Sequence, residues 1–435
     1  LRAVELERSL PEDEEEIFSY LSSGICKGVG PATARRIVER FGAETLDVLE
    51  REPERLTTLK GVTARKAQEI AEIFRRHMGL RRLMAFLAQY QLPPVLAMEL
   101  RRQYGDAALE KVRENPYLLS GEACGVEFSV TDGIAMGMGL AADSDQRLQA
   151  AVTFELSHNE NNGHVFLPRN KLISATTQLL DSGAELVEQA LDSLIERGAV
   201  VQEQVANVEA CYLRRLWEAE CSACIRLAGL LAADTDRSAQ AGRAVDELEA
   251  QQGITYAPLQ RQAVELAART GVLVLTGGPG TGKTTTVRGI VALFRRMGLE
   301  IVLAAPTGRA AKRMSELTGM EAQTVHRMLG MSWNDVTHQV TFQKTEKEPL
   351  EADAVIVDEM SMVDLALFSA LLRALRPGTR LVLVGDADQL PSVGAGNVFS
   401  DLIRSGRVET VFLREVFRQA EQSAIIRNAH AVNLG

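Results

Sequence analysis

Apolar positions along the chain keep one spacing for the first half and a different one later. From residue 24 to about 140 they recur every three or four residues, interrupted by glycine turns and by Pro93-Pro94, which predicts a run of amphipathic helices. Between about 146 and 205 the order becomes helix, an extended GHVFLP (residues 163–168), two helices, and an apolar GAVV (residues 198–201). That order predicts a winged-helix-like module, which binds DNA in some settings and only packs against neighbours in others. An alanine-rich helical stretch with few aromatics then runs to Gln252 as a connector. From Gly271 short apolar strands alternate with helices, the pattern of a parallel α/β domain. Within it, residues 332–344 (SWNDVTHQVTFQK) mix Trp333, Val336, Val340 and Phe342 with polar residues. Asn334-Asp335 or Thr337-His338 could supply a turn, so the expectation is a small projecting β-hairpin, the alternative being a surface loop.

Length and charge narrow this picture. A chain of 435 residues implies about three domains. The expected division is a helical region 1–145, the winged-helix-like module and connector 146–252, an α/β domain 253–405, and a further stretch 406–435. A hydrophobic share of 46% and a charged share of 24% exclude a disordered or coiled-coil chain. The net charge of −10 excludes a uniformly basic nucleic-acid wrapper but leaves room for a local basic track. No apolar run reaches the roughly 18 residues of a membrane span, and the N-terminus has no signal pattern, which predicts a cytoplasmic protein without a membrane partner. The acidic run from Glu12 to Glu16 reads as a solvated helix start or a tail. The five cysteines are odd in number and scattered, so no disulfide framework is expected; Cys221 and Cys224 form a CxxC read as buried helix thiols.

Two related stretches in the helical region, residues 24–41 (GICKGVGPATARRIVERF) and 56–74 (LTTLKGVTARKAQEIAEIF), each set a glycine turn before an amphipathic helix. They resemble a tandem helix-hairpin-helix, a binder of the DNA backbone. Gly28 and Gly30 would allow a tight turn whose amides, with the following helix N-terminus, hold a phosphate, and Arg35 and Arg36 lie just beyond. The second copy, with Gly61, Arg65 and Lys66, fits an ordinary hairpin with a solvated basic face equally well.

The chemistry concentrates later. VLVLTGGPGTGKTTTVRGIVALF (residues 272–294) is strand, glycine-rich loop and helix, the context that a phosphate-binding loop requires; a chance match in this length is on the order of one or two in a hundred. Backbone amides of Gly278, Gly280 and Gly282 wrap phosphate, Lys283 neutralises β and γ oxygens, and Thr284 offers a hydroxyl to Mg²⁺. Pro279, Thr281 and Thr285 share the cradle. In VIVDE (residues 355–359) a buried strand ends in two carboxylates: Asp358 for Mg²⁺ through its water shell, Glu359 as general base for the attacking water. A third strand, RLVLVGDADQLPSVGAGNVF (residues 380–399), places Gln389 to reach the γ-phosphate.

Together GGPGTGKTTT, DEMSMVD and GDADQLPSVGAGN resemble the RecD-like branch of the superfamily 1 helicases. With a helix-hairpin-helix region ahead of the motor, the whole resembles the stand-alone bacterial form that works without RecB and RecC. The resemblance implies ATP and Mg²⁺, Gln260 as the adenine-contacting glutamine, and Arg418 as an arginine approaching the γ-phosphate. It implies single-strand DNA contacts in APTGRAAKRM through Pro306, Thr307 and Arg309, and in QTVHRML through Thr324, His326 and Arg327. It further implies 5′→3′ helicase activity in repair or recombination, single-stranded DNA and junctions with a 5′ tail as partners, single-strand binding protein as a possible companion, a monomer, and a nucleoid location. The hairpin would be the pin that meets the duplex fork. By the same resemblance, residues 406–435 begin a second RecA-like domain, whose motifs V and VI and arginine finger are not in the sequence. Two other readings remain at this level: an ATPase that translocates on nucleic acid without unwinding, and a DNA-binding module whose grip ATP regulates.

Overall fold

A computed structural model describes residues 13–22, 29–233, 238–334 and 339–415. Gly28, Arg418, the turn of the expected hairpin and residues 416–435 lie outside them. The described residues divide into two units, with the break between Arg147 and Leu148.

The first unit is helical throughout: α1 (Glu14–Ser22), α2 (Pro31–Phe41), α3 (Thr45–Arg51), α4 (Ala64–Gln89), α5 (Leu96–Tyr104), α6 (Ala108–Glu114) and α7 (Phe128–Gly137). Local chemistry sets the boundaries. Pro31 opens α2, where its missing amide costs nothing, and Gly42 closes it at φ 52°. Thr63 caps α4, its hydroxyl accepting the Lys66 amide at 3.3 Å. The 26-residue α4 is the spine of the unit. Its first half, through Ile70 and Phe74, packs with α1, α2 and α3, and its second half, through Leu83 and Leu87, packs with α5 and α6.

Gly30 departs from expectation. It is extended at φ −84°, a conformation open to any residue, so its glycine does not serve a tight turn. A Cβ there would meet nothing within 4 Å, so the position is open rather than strained. The strained glycine of the pair is Gly61, at φ 88°.

The second unit begins within α8 (Asp145–Glu160) and continues as β1 (Phe166–Pro168), α9 (Arg169–Leu180), α10 (Ala184–Glu196), β2 (Val200–Val205) and β3 (Val208–Leu213). The strands form an antiparallel sheet in the order β1-β3-β2, with Ala206 and Asn207 turning β2 into β3 at φ 45° and 67°. Two positive φ values in a two-residue loop match the right-handed twist of the strands. Strand β3 has no counterpart among the sequence expectations.

Helices α11 (Arg214–Ala232) and α12 (Ser238–Gln252), expected to connect, instead cover the α/β sheet. A Cβ on Gly271 would lie 2.0 Å from the Leu230 carbonyl oxygen, so the end of α11 abuts the start of the next strand. Cys221 is half-buried and Cys224 exposed on α11, which corrects the expectation of buried thiols: the face of α11 that packs inward carries Leu216, Ala223 and Leu230 instead. Among the described residues no group of His, Cys, Asp and Glu could hold a metal by itself.

The α/β core follows as α13 (Pro258–Arg269), β4 (Val272–Gly277), α14 (Lys283–Arg296), β5 (Ile301–Ala305), α15 (Gly308–Thr318), β6 (Ala322–Thr324) and α16 (Val325–Met328). After a hairpin come β9 (Ala354–Val357), α17 (Leu365–Ala374), β10 (Arg380–Gly385), α18 (Val398–Ser405) and β11 (Glu409–Leu413). The six strands run parallel in the order β11-β4-β10-β9-β5-β6. Alternate residues feed opposite faces. Val272, Val274, Leu381 and Leu383 join the core under α11 and α17, while Leu273, Leu275, Val382 and Val384 join the one under α12, α13 and α14. Burial on both faces is why these strands are uninterrupted apolar runs.

The hairpin is present as β7 (Met331–Asn334) and β8 (Gln339–Phe342), antiparallel, with Trp333 opposite Val340. That cross-strand pair is 49% and 43% exposed, so the ribbon stands off the core. Its root is tied by the Gln343 amide to the Leu329 carbonyl at 3.1 Å.

Candidate nucleotide site and nucleic-acid face

Parallel strands deliver their C-terminal ends to one edge of the sheet, and the chemistry-bearing loops start there. Gly277 ends β4, Asp358 follows β9, and Asp386 follows β10, with Gly385 paired to Thr276 and Leu383 to Val357. Around a cavity of about 440 Å³ stand Gly278, Pro279, Gly280, Thr281, Lys283 and Thr284 on one side, and Asp358, Glu359, Asp386 and Gln389 on another. The glycines are required by geometry. A Cβ on Gly277 would lie 2.6 Å from the Leu413 carbonyl oxygen and 2.7 Å from Thr281 Oγ1, and Gly280 and Gly282 sit at φ 81° and 83°. Thr281 is buried and donates to the Gly278 carbonyl at 2.8 Å, bracing the loop from inside. Lys283 begins α14, and its ammonium donates back to the carbonyls of Gly277 and of Gly278, the latter at 3.1 Å. A lysine held on its own loop is positioned to exchange those carbonyls for phosphate oxygens.

The electrostatics fit an anion-and-cation site. Burial lowers the Lys283 pKa, against the pull of Asp386, Asp358 and Glu359. Burial raises Asp358, opposed by the Glu359 amide, which donates to Asp358 Oδ1 at 2.9 Å. Glu359 is raised by burial and then by the neighbouring Asp358 charge, and its backbone is left-handed at φ 54°. Backbone strain at a carboxylate beside a cavity is a mark of a working site. Gln389 is held from its oxygen side, where Ser361 Oγ donates to Oε1 at 3.3 Å, leaving its amide nitrogen as the free donor.

Not every expected contact lines the cavity. Gln260 is 4% exposed, accepts the Ala257 amide at 3.1 Å and donates to the Gly282 carbonyl at 3.4 Å, so it braces the phosphate loop from behind. Thr285 is exposed on α14 and Gly282 caps that helix; neither lines the cavity. Asp386, 4% exposed at the end of β10, was missed although it stands inside the GDADQ segment that drew attention to Gln389. Its signal was the one that marked Asp358: a carboxylate directly after an apolar strand. Arg313 stands inside the APTGRAAKRM segment expected to touch single-strand DNA, and it also lines the cavity, which the sequence did not signal.

The nucleic-acid candidates of the second unit gather on the next strands of the same edge. Ala305 pairs with Thr324, which sets the loop of Pro306, Thr307 and Arg309 beside that of Thr324, His326 and Arg327. Thr307 and Thr324 both cap helices, accepting the amides of Ala310 at 3.2 Å and Arg327 at 3.1 Å. Arg309 and Arg327 are exposed, and the His326 ring lies 6.3 Å from that of Phe342 at the hairpin root. In the first unit Arg35 lies over the Phe18 ring, whereas Arg36 donates to the Lys60 carbonyl at 2.7 Å and so clasps one glycine turn to the other.

Comparison with known proteins bears on this arrangement. Residues 19–76 match the family described as a SAM-like helix-hairpin-helix tandem, and residues 260–395 match an AAA domain. Residues 76–166 match the helix-hairpin-helix domain of ATP-dependent RecD2 DNA helicases. The chain is 33% identical over 437 aligned positions to the ATP-dependent RecD2 DNA helicase of Deinococcus radiodurans, covering 98% of this chain and 59% of that protein. Along nearly its whole length, then, this chain is similar to the RecD-like helicases. It is also 40% identical over 215 residues to the RecBCD enzyme subunit RecD of Mycolicibacterium smegmatis, across 44% of this chain and 37% of that one. The chain thus spans well under two thirds of the length of these RecD-like relatives. A solved Pif1 helicase from Candida albicans matches 38% of this chain and 41% of its own at 25% identity, with a TM-score of 0.28, too slight a superposition to speak for the fold.

Proposed function

We propose that this RecD-like chain hydrolyses ATP at the β4-β10-β9 edge and couples it to 5′→3′ movement along single-stranded DNA and to duplex separation. The observation that carries the reading is the convergence of three strand ends on one cavity, with a lysine facing three carboxylates and the nucleic-acid candidates on adjacent strands. A switch that only binds nucleotide has no use for a strained carboxylate placed as a base. Its setting is the cytoplasm, without a membrane partner; among the described residues no helix is long and apolar enough to cross one. Single-stranded DNA, junctions with a 5′ tail and single-strand binding protein are the partners proposed, and the working form is a monomer.

The residues fit Mg²⁺: the Thr284 hydroxyl and the Asp358 carboxylate, both lining the cavity, are hard oxygen donors, and a carboxylate raised by burial gains from a cation beside it. When bound there, Mg²⁺ supplies charge neutralisation at the β and γ oxygens. Lys283 leaves the Gly277 and Gly278 carbonyls for those same oxygens. Glu359 accepts a proton from the water that attacks the γ phosphorus, the bond from that phosphorus to the β-bridging oxygen breaks, and ADP and phosphate result. Gln389, anchored by Ser361, presents its amide nitrogen to the γ-phosphate, the group that the family resemblance also assigns to Arg418, outside the described residues. The amides of Gly278 and Gly280 hold the other phosphates, and Gln260 steadies the loop that carries them.

The test is strand displacement on duplexes carrying a 5′ or a 3′ single-stranded tail, with ATP and Mg²⁺. Displacement from the 5′ tail alone is expected. ATP turnover without displacement on either substrate would reduce the protein to a translocase. Replacing residues 333–342 with a short Gly/Ser link should leave DNA-stimulated hydrolysis in place and stop strand separation. Unwinding at the parental rate would remove the hairpin from the role of pin.

A further inference from the structure

One face of α15 forms a wall of the nucleotide cavity. Its four lining residues, Arg313, Met314, Leu317 and Thr318, follow the i, i+1, i+4, i+5 spacing of a single helical face. Met314 is 3% exposed and anchors that face in the core, which sets the side chain before it at the cavity rim. Arg313 is the guanidinium on the wall, and among the described residues no hydrogen bond or ion pair holds it. Arg261, by contrast, is engaged by Asp246, Glu249 and Glu265. An arginine left open beside a cavity lined by Asp358, Glu359, Asp386 and Asp388 is a donor without an acceptor of its own.

Its charge also locates it along the cavity. Arg313 opposes protonation of Lys283 and favours the ionised forms of Asp358 and Glu359, so it acts at the phosphate end, where hydrolysis takes place. Lys283 reaches that end from the start of α14 and Arg313 from α15. A planar guanidinium can take two phosphate oxygens at once, which a lysine ammonium does not do in a fixed geometry.

We propose that Arg313 is a cationic contact for the terminal phosphate of the nucleotide, supplied from α15 and additional to Lys283 and to Arg418, which the family resemblance assigns to the same group. The assignment rests on the nucleotide reading of the cavity and adds to it a residue that distinguishes triphosphate from diphosphate. Lys283 then holds the β and γ oxygens together, while Arg313 touches only the γ group.

The experiment measures binding of a fluorescent non-hydrolysable ATP analogue and of the matching ADP analogue, with Mg²⁺, to the full chain. Arg313→Ala is expected to weaken the triphosphate about tenfold or more and the diphosphate less than about twofold. Arg313→Lys should restore part of the triphosphate affinity, and thermal melting of both variants should match the parent because the side chain is exposed. Equal losses for the two nucleotides, or no loss for either, overturn the assignment. The two readings separate cleanly. A parent chain that binds neither analogue overturns the nucleotide site itself, whereas binding that Lys283→Ala abolishes and Arg313→Ala leaves untouched overturns only the arginine.

Discussion

Two regions of this chain that the sequence marks as candidate phosphate binders carry glycines under opposite conditions. At the phosphate-binding loop, Gly277 has no room for a Cβ, Gly280 and Gly282 are left-handed, and the lysine and carboxylates are partly desolvated. At the first helix-hairpin-helix turn, Gly30 is extended, a Cβ on it would find open space out to 4 Å, and Arg35 is exposed. Enclosure strengthens each electrostatic interaction and excludes water, as bond breaking requires, while an open basic surface offers exchangeable contacts suited to a chain that must slide. Anion binding for chemistry and anion binding for grip thus differ in burial before they differ in residue type.

The sharpest break of that comparison is Lys283→Ala. Hydrolysis should fall by roughly two to three orders of magnitude, with single-strand DNA binding retained, as measured by phosphate release and by DNA anisotropy. Near-parental turnover would mean that the enclosed site is not the catalytic one. Glu359→Gln should lower hydrolysis about 100-fold or more while ATP still binds. The same residue sets a pH dependence. Because its pKa is raised, the base protonates at a higher pH than an ordinary glutamate, and the acid limb of the kcat/KM profile should sit correspondingly high. The stability sign follows: a carboxylate raised in the folded state contributes stability below its unfolded pKa and loses it as pH rises through the folded one. Glu359→Gln should therefore melt higher than the parent at neutral pH without nucleotide, and a lower melting temperature would contradict the burial argument.

A matched pair of glycine substitutions probes the steric difference. Gly277→Ala should cost about 1 to 3 kcal/mol in urea unfolding, since backbone and a buried threonine stand in the way. Gly30→Ala should stay within about 0.5 kcal/mol of the parent. Similar costs at both positions would erase the distinction drawn between them. The smallest effects belong to the open surface. Neutralising Arg35 or Lys66 should flatten the log-log salt dependence of DNA binding by about 0.7 to 0.9 for each phosphate no longer neutralised. Arg36→Ala should act on stability as well, because it releases the Lys60 carbonyl.

Legibility in the sequence followed how local each determinant is. The phosphate-binding loop, the strand ending in Asp358-Glu359, the hairpin and the helical N-terminal region are all set by neighbours within about one element, and each was readable. Asp386 and Arg313 were not, because the first was outshone by Gln389 within one motif and the second enters the cavity only through the phase of α15. Arg36 was read as a DNA contact, and its tie to a backbone carbonyl 24 residues away was not legible, because a carbonyl partner leaves no mark in side-chain pattern. Cys224 was read as a buried helix thiol because its CxxC lies in a helical run with no second pair or histidine nearby, yet the helix turns it outward.

By itself, the sequence determined the periods of helix and strand, the glycines that a phosphate loop needs, and the carboxylates that end its strands, since these depend on bonded neighbours and short-range sterics. Tertiary structure alone decided the rest. It chose the strand order that sets β10 between β4 and β9, the cladding of that sheet by α11 and α12, the bracing of the phosphate loop by Gln260, and which charges share a cavity. Those outcomes depend on which apolar faces pack together across long sequence separations, and the free energy of such burial is a property of the assembled core, not of any segment within it.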